Sequence, residues 1–208
     1  MDATFEVLSE AELGRVTAMY APLTEAVRDL IDATIRTQAD DDVISAARAT
    51  IEKVTESLLS QRVRPPGVSY RVDGRPVPLG NAATGPCNPL APPLVVHHED
   101  DGRCWSEFVL GPAYEGPPGL VHGGMSALVL DHMLGEAASG GLTKPLFTGT
   151  ITVKYLRGTP LGPLRCDAYV ERAEGVKAFA RGSISDAKGV TVEAEGIFIK
   201  PAWARDPE

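Results

Sequence analysis

The stretch Gly116–Ala138, GPPGLVHGGMSALVLDHMLGEAA, decides the architecture. From Gly123 onward it is apolar on almost every side, and no proline falls between Pro118 and Pro145. A helix that is apolar on almost all sides belongs against a core, so this segment is expected to be a buried helix. Two of its features are out of place there. Gly123 and Gly124 open the helix with no side chain over its first N–H groups, and such unsatisfied donors, with the helix dipole, favour a negative oxygen. Asp131 falls mid-helix, nine residues after His122, and its neighbours one turn away are Ala127, Leu128, Leu134 and Gly135. None is a cation. Burying a carboxylate without a partner is costly, so Asp131, expected on the buried face, is the candidate reactive group. His132 points roughly 100° around the helix from it and is read as structural.

Spacing sharpens this reading. Gly124 and Asp131 are seven residues apart, roughly 10 Å along a helix axis. A nucleophile or water has to reach about 3–3.5 Å from the carbonyl that the amides polarise. One helix cannot bring both groups to one carbonyl, whereas two antiparallel copies can. A site between subunits, and hence a homodimer or a pair of dimers, is expected.

Working outward, strand patterns flank the helix. Leu94–Glu99 and Arg103–Leu110 precede it, with an Asp101-Gly102 turn between them. Thr148–Leu156, Leu164–Arg172, Val176–Ser185 and Val190–Lys200 follow it. Alternation is plain where Leu164, Cys166, Ala168 and Val170 oppose Arg165, Asp167, Tyr169 and Glu171. Short Gly-containing links favour antiparallel neighbours, so the segment reads as an α+β domain.

The remainder is an extension. Residues 1–63 read as helical. Ser9 and Glu12 form a capping box, and Ile44, Ala47, Ile51, Val54 and Leu58 make an apolar stripe behind Asp40–Asp42. That stripe is expected to dock on the domain or on its own hairpin. Residues 64–93 hold eight prolines and read as an irregular connection with a short hairpin at Val68–Val77; residues 201–208 are a tail.

Composition sets outer limits. Hydrophobic residues make up 43 % and the formal net charge is −8, which disfavours nucleic acid or an anionic membrane as the main partner. No run approaches the ~18 apolar residues of a membrane span, and the start, MDATFEVLSE, lacks the pattern of a secretory leader. Cys87, Cys104 and Cys166 form no CxxC pair and read as reduced thiols of a cytoplasmic protein. The pattern calls for no metal and no cofactor.

The run GLVHGGMSALVLDHMLGEA, followed by TGTITVKYLRGTPLGPLRCDAYV and DAKGVTVEAEGIFI, resembles the hotdog-fold acyl-CoA thioesterases of the phenylacetate and 4-hydroxybenzoyl-CoA type. The likeness covers residues 88–200. It implies an antiparallel sheet wrapped around one long central helix, with the domain at 94–200. It also implies that Asp131 is the catalytic carboxylate, as nucleophile or general base, and that the N–H of Gly123 donates to the thioester carbonyl. Gly124 then allows the tight helix start, and His122 helps orient the carbonyl. Thr148 and Thr150 are candidates for an assisting hydroxyl. Several relatives place Gln or Asn six residues before the His; here that position is Gly116, and the adjacent Glu115 is a candidate substitute. Lys154, Arg157, Lys177 and Arg181 are candidates for a basic rim toward the phosphates of CoA. The rival expectation is a non-catalytic protein that binds acyl thioesters or lipids in the same cleft.

Overall fold

The computed structural model describes residues 5–60 and 69–205. Strand β1 (Phe5–Val7) leads into helix α1 (Glu10–Arg36), whose start is the expected capping box. The Glu12 N–H donates to Ser9 Oγ at 3.2 Å, and the Ser9 N–H donates to Glu12 Oε2 at 2.8 Å. Helix α2 (Asp41–Leu59) follows. A hairpin of β2 (Ser69–Val72) and β3 (Arg75–Val77) turns at Asp73-Gly74, and both turn residues have positive φ. Val68, where this hairpin is expected to begin, and the 63/64 boundary lie outside the described residues. β1 pairs with β2 in parallel, so the extension is not wholly helical.

The second unit consists of β4 (His97–His98), β5 (Cys104–Leu110), α3 (Gly123–Ser139), β6 (Phe147–Tyr155), β7 (Gly162–Glu174), β8 (Lys177–Asp186) and β9 (Gly189–Ile199). These strands form one antiparallel sheet in the order β4-β5-β7-β8-β9-β6, curled around α3. This is the hotdog arrangement. The strand expected at Leu94–Glu99 shrinks to His97–His98, because Pro92 and Pro93 lead into Leu94–Val96 as irregular chain.

The core forms where helix meets sheet. Val129, Leu130, Met133 and Leu134 have no exposed surface and pack with Cys166, Ala168, Ala180, Val192 and Phe198. Gly182 and Gly196 allow this approach: a Cβ on either would lie 3.3–3.4 Å from a Leu134 methyl, and at Gly182 also 2.7 Å from the Asp167 carbonyl. α3 ends at Gly140 in the left-handed region, whose N–H donates to the carbonyls of Ala137 and Glu136.

The extension touches the domain through α1. Thr24 Oγ1 donates to the Pro86 carbonyl at 2.9 Å, Arg28 to the Ala91 carbonyl at 3.2 Å, and Tyr114 Oη to the Ala91 carbonyl at 3.0 Å. The Pro-rich connection is thereby pinned between α1 and the Pro112–Tyr114 turn. α2 behaves otherwise. None of its residues is buried, and Ile44, Ile51, Val54 and Leu58 are all exposed. The expected docking of its stripe on this chain therefore does not occur among the described residues. The α1–α2 link has extended backbone at both Thr37 and Asp40, and α2 is not folded back along α1.

Candidate active site

The start of α3 is held in place from several directions. The His122 N–H donates to the Tyr114 carbonyl at 2.9 Å, and the His122 carbonyl accepts the first helical bond from Met125. His122 is also the N-cap: its Nδ1 accepts the Gly124 N–H at 3.0 Å. One of the two glycine donors expected to be open is therefore occupied. The Gly123 N–H has no acceptor among the described residues. An Nδ1 that accepts carries no proton, which leaves Nε2 as the donor of the ring.

Tyr155, which sequence reasoning missed, completes this corner. Its Oη donates to the Gly123 carbonyl at 2.8 Å, and its ring covers the residue so closely that a Cβ at Gly123 would lie 3.2 Å from the phenol oxygen. The Gly123–Gly124 peptide is thus gripped on its oxygen by Tyr155 and on its nitrogen by His122.

Asp131 sits two turns further along, eight residues from Gly123 and roughly 12 Å along the axis. It is half-buried rather than buried, and it is not without a partner: Thr148 Oγ1 donates to Oδ1 at 2.9 Å. Oδ2 accepts no hydrogen bond among the described residues. Thr150 does not share this position. A bulge at Gly149 shifts the β6–β9 register, so Thr148 lies opposite Phe198 on the helix side and Thr150 opposite Ile197 on the outer side.

Gly116 has a steric reason. A Cβ there would stand 2.8 Å from the His122 Cα, so this backbone path has no room for the polar side chain that the resemblance led one to expect. Glu115 is exposed, and its carboxylate accepts the Gly119 N–H at 2.5 Å, closing the loop before α3.

A further polar network lies behind the site. Glu136, buried, meets His132 Nε2 at 3.2 Å and His98 Nε2 at 3.4 Å, and His132 reaches Thr84 Oγ1 at 3.2 Å. This gives His132 a structural task, tying α3 to the connection. The three cysteines are unbridged. Burial, with the Glu136 carboxylate adding to it, pushes the Cys104 thiol up to about 12, and burial raises Cys166 as well; neither offers a thiolate. Among the described residues no group of His, Cys, Asp or Glu could hold a metal ion, and no helix is long and apolar enough to cross a membrane. Of the candidate basic rim, Arg157 forks onto Asp186 at 2.9 and 2.5 Å, holding that carboxyl down at about 2, and Arg181 bonds Glu171 and Glu195. Lys154 and Lys177 remain; they stand opposite Glu193 and Ile199, six residues apart on β9 and so on one face of the sheet.

A curled antiparallel sheet around one long helix defines the hotdog class. A model of the thioesterase superfamily matches residues 118–193. A crystal structure of a thioesterase superfamily protein is 33% identical with a TM-score of 0.76, over 86% of this chain and 94% of that one. The acyl-coenzyme A thioesterase THEM4 of Bos taurus is 30% identical over 118 residues, 55% of this chain and 46% of that protein. Its Xenopus laevis counterpart is 38% identical over 99 residues, 45% of this chain and 43% of that protein. The chain spans about half the length of the curated relatives it matches. It belongs to the thioesterase superfamily.

Proposed function

We propose that this protein is an acyl-CoA thioesterase that works as a homodimer, with Asp131 of one subunit facing the His122–Gly123 corner of the other. The observation that carries this reading is the roughly 12 Å between Gly123 and Asp131 on one rigid rod, together with an edge left open beside them. β6 is the outermost strand, it bears Thr148 and Tyr155, and Phe147 and Tyr155 are more than half exposed. An unpaired nine-residue edge is a ready template for a second copy. Antiparallel β6–β6 pairing would lay the Thr148–Asp131 end of one subunit against the Tyr155–Gly123 end of the other. The named relatives support the acyl-CoA substrate, and three free thiols support a cytoplasmic setting.

The chemistry follows from the donors. The thioester oxygen accepts from the Gly123 N–H and the His122 Nε2–H, which stabilises the negative charge it gains on attack by about 3 kcal/mol per donor. Asp131 either removes a proton from an attacking water, contributing ~10²–10⁴-fold as base, or attacks the carbonyl itself. Thr148 holds Oδ1 and leaves Oδ2 for that task. Collapse of the tetrahedral species breaks the C–S bond, and the thiolate leaves to take up a proton. In the second route the resulting anhydride is then cleaved by water.

Complementation tests the shared site. Asp131→Asn is expected to abolish most hydrolysis of acyl-CoA while the dimer persists in sedimentation, and Gly123→Ala to do the same by pushing on Tyr155. Mixed dimers of the two variants contain one intact site and should recover part of the wild-type rate. Full activity in Asp131→Asn would refute the role of the carboxylate, and ligand binding without turnover in the wild type would favour the acyl-thioester-binding alternative. Absence of recovery in mixed dimers would refute the inter-subunit arrangement.

A further inference from the structure

The His122–Gly123 corner stands on the part of α3 least able to hold itself. Gly123 and Gly124 have no side chains to pack, His122 and Gly124 are exposed, and the first buried residue of the helix is Ser126. A glycine inside a helix costs about 0.5–1 kcal/mol relative to alanine, and chain ends and loops open most readily. The Gly123 amide is therefore placed by contacts from outside α3. Tyr155 supplies one of them. The other leads away from the sheet, to the extension.

It begins at Tyr114, whose carbonyl accepts the His122 N–H at 2.9 Å. The loop between the two is closed on itself: Glu115 pairs with Val121, and the Gly116 N–H donates to the Leu120 carbonyl at 2.9 Å. Tyr114 and His122 therefore move together. Tyr114 is only 3% exposed, and burial, opposed by the neighbouring Arg28 guanidinium, raises its phenol above the ordinary value. The hydroxyl keeps its proton and donates to the Ala91 carbonyl at 3.0 Å. Arg28 of α1 donates to that same carbonyl at 3.2 Å, and α1 packs on the Pro112–Tyr114 turn.

Arg28 is a costly side chain to place there for packing alone. It is mostly buried, its Nε has no acceptor among the described residues, and its carboxylate contact, Glu25, lies on its own helix. An apolar side chain would pack α1 without leaving a guanidinium donor unpaired. What the arginine adds is a charged donor to the peptide on which the Tyr114 hydroxyl rests. Resting on the thioesterase reading, we propose that α1 belongs to the catalytic apparatus, with Arg28 and Tyr114 as positioning residues that set where His122 and the Gly123 N–H stand. Neither touches the reacting atoms. Donors that drift from the developing oxyanion weaken the transition state more than the bound ester, so the loss falls on kcat.

The test uses the whole chain and octanoyl-CoA. Tyr114→Phe keeps the ring and removes the hydroxyl, and Arg28→Ala removes the donor on α1. In each, kcat should fall about tenfold while KM stays within about twofold, in protein shown to be folded by its denaturation curve. Both act through the Ala91 carbonyl, so the double variant should lose much less than the product of the two single losses. Amide NMR reads the corner directly: the His122 and Gly123 N–H signals should shift in both variants, and those of Val192 and Ala194 in β9 should not. Unchanged kcat in both variants, losses that multiply, or unmoved His122 and Gly123 signals would overturn the proposal. If Arg28→Ala does not fold, the milder Tyr114→Phe decides by the same two measurements. If the wild type hydrolyses no acyl-CoA, the thioesterase reading fails, while the amide signals still decide whether α1 positions the corner.

Discussion

Helices α2 and α3 both read as strongly patterned in sequence, and the fold treats them in opposite ways. In α3, Val129, Leu130, Met133 and Leu134 are wholly enclosed; in α2, Ile51 is 39% and Leu58 54% exposed. The difference lies in how far around each helix the apolar residues run. α3 is apolar on nearly all sides, and only a surface that surrounds it satisfies such a helix. The sheet does so because Gly182 and Gly196 let Leu134 approach. The α2 stripe repeats in a 3-4-3-4 pattern and is narrow, which marks one face as adhesive without saying what covers it.

Three experiments probe this contrast. The largest effect is expected from Leu134→Ala, which opens a cavity between α3 and the strands; cores of this kind lose about 2–5 kcal/mol on such a change, seen as a lower denaturant midpoint. A smaller effect, present at neutral pH and vanishing in acid, is expected from Arg157→Ala. Asp186 has its carboxyl pKa lowered from 3.8 to about 2, first by its hydrogen bonds from Arg157. A depressed folded-state pKa contributes stability that is present above 3.8 and is lost as pH falls toward 2. The variant should therefore lose stability at neutral pH and show a flatter decline between those values than the wild type; an identical acid limb would show that the pair does not couple to folding. Ile51→Ser on α2 should change stability least, within about 0.5 kcal/mol for a surface position. A loss of several times that, with a dependence on protein concentration, would show that α2 is covered in solution.

The sequence makes the central features readable because they depend on local pattern. The all-round apolar run gives α3, alternation gives β7 and β9, and Ser9 with Glu12 gives the start of α1. Asp131 stands out because nothing nearby neutralises it. What is not readable depends on groups distant in the chain. Thr84, His132, Glu136 and His98 meet only when the connection folds over α3. The parallel pairing of β1 with β2 joins segments some sixty residues apart. Gly116 is readable as a departure from the pattern the resemblance implies, but its cause is the close approach of His122. Thr148 and Thr150 look equivalent until the bulge separates them; a lone Gly inside a strand pattern was the available signal.

That bulge has a mechanical consequence. Thr148 and Tyr155 are seven positions apart, an odd interval, and in a regular strand side chains of odd separation face opposite ways. The extra residue at Gly149 restores even parity, so both side chains meet α3, one at Asp131 and one at Gly123. β6 therefore works as a tie rod bolted to the helix at two points, fixing the acid and the amide at a set separation.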